Sequence, residues 1–117
     1  MSLLTQFEQK EDVLLVRLVG ELDHHEAEKL KSEWQKHLNT GEVKHVVVNL
    51  GKLHFMDSSG LGVFLGRYKE VKHMKGEMVI CAINPVVERL FELSGMFKIV
   101  QTDISEEAAL NRLGVAS

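Results

Sequence analysis

Cysteine, proline, tryptophan and tyrosine each occur once in this chain, and neither an excess of positive charge nor a long apolar run is present. A single cysteine leaves no disulfide framework. Cys81 lies inside the apolar run MVICAI, where a small hydrophobe on a buried strand is the plain reading and a redox or catalytic thiol the alternative. No stretch approaches the roughly 18 apolar residues of a spanning helix. The start MSLLTQFEQKED has neither the basic head nor the apolar core of a signal peptide. A cytoplasmic protein with no membrane partner is expected. Lys and Arg number 14 against 17 Asp and Glu, a net charge of -3 with both signs scattered, which argues against a nucleic-acid partner. Repeats, low-complexity segments and linkers are missing too. With 44% hydrophobic and 26% charged residues over 117 positions, one globular domain spanning 1–117 is expected.

What is present reads as alternating strands and helices. LLTQFEQ is a half-polar edge strand, and VLLVRLVG is a central strand whose apolar residues leave only Arg17 facing out. Ala27, Leu30, Trp34 and Leu38 fall at helical spacing between Glu26 and Asn39, with Gly41 following. VKHVVVNL is a strand, Ser59 to Met74 a helix and EMVICAI a strand. Asn84 caps a helix that Pro85 opens and Gly95 stops. FKIV and the stretch Ser105 to Leu113 supply a last strand and helix. This order demands parallel crossovers, with the first strand paired antiparallel through its short turn. The expected fold class is α/β: a mixed, mostly parallel sheet with about four helices.

The segment FMDSSGLGVFLGRYK, residues 55–69, follows the strand VVVNL across a loop from Gly51 to Asp57. The segment GELDHH, residues 20–25, leaves the preceding strand at the same rim, where open α/β sheets bind ligands and partners. Glu21, Asp23, His24 and Ser58 are therefore expected on one surface.

Several chemistries compete for that surface. A hydrolase elbow reads G-x-S-x-G, but no glycine sits two residues before Ser58 or Ser59. Gly60, Gly62 and Gly66 make G-x-G-x-x-x-G, one residue too long for a dinucleotide fingerprint and without the lysine of a phosphate loop. Of six histidines, His24 and His25 are adjacent and His37, His45, His54 and His73 stand singly, so no ligand spacing appears and no metal is expected. Asp57, Ser58 and Ser59 can each cap the next helix, worth about 1 kcal/mol. Gly62 and Gly66 weaken that helix by about 1 kcal/mol each. With Ser59 they form a row of small residues open to a close neighbour, either the protein's own sheet or a partner. Leu61 can pack on the sheet or reach a partner, and Leu90 lies on an apolar arc wide enough to leave it exposed. A small nucleotide- or ligand-binding α/β domain, or a weak hydrolase using Ser58, stays open on these residues alone.

Taken together and in order, FMDSSGLGVFLGRYK, GELDHH, AINPVVERLFELSG and the ending LGVAS resemble the STAS family, the anti-sigma factor antagonists. Within it they are most similar to the branch acting on the anti-sigma-F kinase of endospore-forming bacteria. The resemblance implies a STAS-like fold and a phosphorylation switch rather than an enzyme. Ser58, directly after the aspartate, would be phosphorylated by the anti-sigma factor, itself a serine kinase. The unmodified form would bind that kinase and release the sporulation sigma factor, and a PP2C-type phosphatase would restore it. Glu21, Asp23, His24, Asp57, Ser58, Ser59, Gly60, Leu61, Gly62 and Leu90 would form the partner-binding surface. No cofactor is implied on this chain, ATP being the kinase's, and a monomer is expected when free. Antagonists of stress-response circuits share the DSSGL core, which keeps that assignment as the alternative.

Overall fold

The computed structural model describes residues 2–115; Met1 and the final two residues of the LGVAS ending lie outside the described residues. In chain order the elements are β1 (Leu3–Lys10), β2 (Val13–Leu22), α1 (His24–Leu38), β3 (His45–Met56), α2 (Ser58–His73), β4 (Met78–Cys81), α3 (Pro85–Ser94), β5 (Gln101–Asp103) and α4 (Glu106–Arg112). A 3-10 turn at Met96–Lys98 separates α3 from β5. The five strands lie in sequential order, β1-β2-β3-β4-β5. β1 runs antiparallel to β2 and every other pairing is parallel.

Sequential order has a geometric consequence. Each parallel crossover is right-handed and steps the same way across the sheet, so α1, α2 and α3 all fall on one face. Their buried residues, among them Trp34, Phe64, Val87 and Phe91, join Leu14, Val16, Leu18 and Val48 in the main core. Edge-to-face contacts link Trp34 to Phe64 and Phe64 to Phe91 across the three helices, the geometry aromatic quadrupoles prefer. The opposite face is covered by α4, whose Ala109 and Leu110 pack with Val13, Leu15, Val47, Val79 and Cys81. Burial pushes the Cys81 thiol up to about 12, which suits the structural reading of this residue rather than a reactive one.

Arg17 does not simply face out. It lies half-buried under α4 and donates from Nε and Nη2 to the two carboxylate oxygens of Glu106, at 2.6 and 2.9 Å, and from Nη1 to Glu8 at 2.8 Å. Asn49 donates to the same Glu106 carboxylate at 2.8 Å. The Arg17 guanidinium holds the Glu106 carboxyl below its ordinary range, and Glu106 in turn raises Arg17.

Two expected boundaries move. The segment expected as a loop from Gly51 continues β3 to Met56, because Val19 to Leu22 of β2 pair with Lys52 to Met56 across two register shifts. Its exposed Lys52, His54 and Phe55 resemble a loop in composition, yet the parallel ladder holds them. FKIV is no strand: the left-handed Gly95 at φ 77° leads straight into the 3-10 turn, and the polar Gln101–Asp103 pairs with β4 instead.

The glycines of α2 divide into two kinds. At Gly60 an added Cβ would lie 2.6 Å from Met56 Cγ and 2.8 Å from Leu22 Cδ2, whereas at Gly62 and Gly66 it would meet nothing within 4 Å. Gly60→Ala is therefore expected to lose stability, by about 1–2 kcal/mol of overpacking. Gly62→Ala and Gly66→Ala should each gain about 0.5–1 kcal/mol from helix propensity. Urea denaturation of the three variants checks the opposite signs.

Candidate functional site

The rim is built by two strand-to-helix junctions lying side by side. Leu22 and Met56 are the last partners of the β2–β3 ladder, so the next residues, Asp23 and Asp57, stand level. The Asp57 amide then donates to the Leu22 carbonyl at 3.2 Å, tying one junction to the other. Both aspartates have the same extended backbone, with φ/ψ of -100°/-176° and -108°/-174°, and both are N-caps. Asp23 accepts from the Glu26 amide and Asp57 from the Ser59 amide, each at 2.9 Å. The helix dipoles thus end at the rim with an acidic cap on each.

These caps settle the role left open among Asp57, Ser58 and Ser59. Asp57 holds the first-turn amide, and Ser58 is the first helical residue, exposed, with its hydroxyl in no hydrogen bond among the described residues. No histidine base is bonded to it. Ser59 is half-buried, and Gly60 is buried beneath the helix start against Met56 and Leu22, which makes it a spacer rather than a contact surface. Glu21 is half-buried. His24 and His25 are exposed, stacked with ring centroids 5.2 Å apart.

The structure brings Glu21, Asp23, His24, Asp57, Ser58 and Ser59 to one rim, as the topology requires. Leu61 is half-buried and packed against the main core, so a partner could reach only part of it. Leu90, expected on an exposed arc, is likewise half-buried against the core. α3 exposes Val86 and Leu93 instead, at 57% and 76%, because Val87 and Phe91 take the inward positions. The row of Ser59, Gly62 and Gly66 faces neither the sheet nor a neighbouring backbone. It lines a groove of ≈ 530 Å³ between α1 and α2, with His24, Ala27, Glu28, Lys31, Val63 and Arg67. Arg67 was not singled out from the sequence, although it continues the helical row of Ser59 and Val63 at intervals of four. Asn84 also does more than cap α3: besides accepting from the Val87 amide it donates to the carbonyls of Leu50 and Leu53 on the open side of β3.

This fold is that of a STAS domain, and the STAS domain family model matches residues 5–109. The chain belongs to that family. Among its relatives is the anti-sigma F factor antagonist of Paenibacillus polymyxa, 44% identical over 117 residues that span all of both chains. The solved anti-sigma factor antagonist SpoIIAA in its unphosphorylated form is 30% identical with a TM-score of 0.78, over 95% of this chain and 98% of that one. The phosphorylated form of the Bacillus cell fate determinant SpoIIAA is 32% identical with a TM-score of 0.76, over 94% and 99%.

The caps generate a test. Asp57→Ala should cost about 1 kcal/mol, whereas Ser58→Ala should leave the unfolding midpoint unchanged. The Glu26 amide holds Asp23 below its ordinary 3.8. Its stabilising contribution is therefore complete above 3.8 and is lost as pH falls through the lower folded-state value. Asp23→Ala is expected to lower the midpoint at pH 7, and the gap to wild type should close in strong acid. Thermal melts across pH measure both.

Proposed function

We propose that this protein is an anti-sigma factor antagonist that binds a serine-kinase anti-sigma factor through the rim and is switched off by phosphorylation of Ser58. The observation that carries the reading is the placement of Ser58: exposed at the first position of a helix whose cap is already supplied by Asp57, with a hydroxyl committed to nothing. The relatives described above point the same way, since one is an anti-sigma F factor antagonist and another is known in unphosphorylated and phosphorylated forms. In the unmodified state Glu21, Asp23, His24 and Asp57 offer the kinase an acidic, preformed surface, and the kinase lets go of its sigma factor.

Phosphorylation changes charge, not shape. A phosphoryl group adds about -1.5 to -2 charge at neutral pH, at a helix N-terminus where free amides and the dipole tolerate it. The neighbouring carboxylates of Asp23 and Asp57 are already fixed there. The added charge must be desolvated against the partner and repels any acid on it, so affinity falls while the fold stands. A PP2C-type phosphatase resets the switch. The chain performs no reaction of its own, and the sigma factor it frees is the sporulation type.

Incubation with the cognate kinase and ATP, followed by mass spectrometry, should add one phosphate at Ser58. Ser58→Ala should take none and still bind the kinase. Ser58→Asp should bind more weakly at an unchanged thermal midpoint. Phosphate on Ser59 at the wild-type rate, or unfolding of the Ser58→Asp form, would contradict the reading.

A further inference from the structure

We propose that the groove between α1 and α2 receives an acidic side chain of the same anti-sigma factor, with Arg67 as its cationic anchor; this rests on the reading above. Arg67 is 8% exposed, yet its Nε and Nη1 have no hydrogen-bond partner among the described residues. Nor does any carboxylate among them come within the 4.0 Å of an ion pair. A guanidinium with two nitrogens withdrawn from water is ordinarily paired, because leaving its charge uncompensated is unfavourable. The missing acceptor has a place to stand. Arg67 lines the groove, and the positions where Gly62 and Gly66 lack a side chain are open. Two glycines are kept in a helix where alanine would fit, as close approach by another chain would require.

Charge and position identify the occupant. Besides Arg67, the groove has Lys31 against the single carboxylate of Glu28, so it favours an anion. A carboxylate is the anion that a guanidinium nitrogen pairs with in a charge-assisted hydrogen bond, and Nη2 is the nitrogen not sealed inside. Continuity with the rim assigns it to the partner docked there, since His24 and Ser59 belong to both surfaces. Gly62 and Gly66 lie about one and two turns along α2 from Ser58, roughly 6 and 12 Å, within reach of a chain seated at the helix start. The interface would then pair an acidic rim with a cationic groove, an alternation that fixes register as well as affinity.

Titration calorimetry of the cognate kinase against wild type, Gly66→Leu, Arg67→Gln, Arg67→Lys and Ser58→Asp tests this, with thermal midpoints for each. Gly66→Leu fills the groove from an open helix position, so its midpoint should not fall. Both Gly66→Leu and Arg67→Gln are expected to weaken binding by at least about tenfold, the lower range for a desolvated charge pair. Arg67→Lys should recover part of the loss, and Arg67→Gln should reduce the salt dependence of the affinity. A folded Gly66→Leu that binds like wild type overturns the groove even where Arg67→Gln fails to fold. Weakening by Ser58→Asp alone leaves the rim reading standing without the groove. Wild-type affinity in every variant overturns both.

Discussion

The hydrogen bond from the Asp57 amide to the Leu22 carbonyl is the interaction on which the rim depends. It extends the β2–β3 ladder one step past Leu22 and Met56 and so brings two helix starts to the same level. Sequential strand order then places α1 and α2 on one face, parallel neighbours with their positive ends together. Two aspartates with matching backbone angles sit at those ends, because an acid there both accepts an amide and meets the dipole. Lose the register between the strands and the caps, the exposed serine and the groove all part company.

Division of labour at the helix start follows from adjacency. Asp57 is bound to its amide and cannot easily leave; Ser58, one residue on, is bound to nothing. A modification on Ser58 therefore alters the surface without undoing the cap. Beneath it, Gly60 lets Met56 and Leu22 come close enough to seat the helix, while Gly62 and Gly66 do nothing for the fold and leave the side toward α1 open. One run of three glycines thus serves a packed floor and a vacant wall.

Much of this was legible in the residues. Apolar spacing located α1 by Ala27, Leu30, Trp34 and Leu38, all of them buried, and Asn84-Pro85 with Gly95 bracketed α3 correctly. Strand alternation put GELDHH and DSSGL on one rim. The sequence misled where local composition opposed a tertiary ladder: Gly51 and Lys52 look like the start of a loop until Val19 of β2 pairs with Lys52 and carries the ladder on to Met56. FKIV looks like a strand until the left-handed Gly95 starts a tighter turn. Leu90 and Arg67 could not be placed from periodicity, since both depend on which neighbour covers which side of a helix. For Arg67 the revealing fact is a missing partner, and a sequence does not show absences of that kind.

The sheet has a thick side and a thin one. Three helices and a chain of aromatic contacts back one face, while a seven-residue helix, clasped by the Arg17–Glu106 pair, shields the other. Local stability must differ accordingly, with α4 opening at lower free energy than the three-helix layer. The clasp works while Glu106 is charged. Its contribution is complete above the ordinary 4.5 and fades as pH falls through the lower folded-state value. Acid thus weakens the cover that α4 holds over Cys81 and the inner strands on that side.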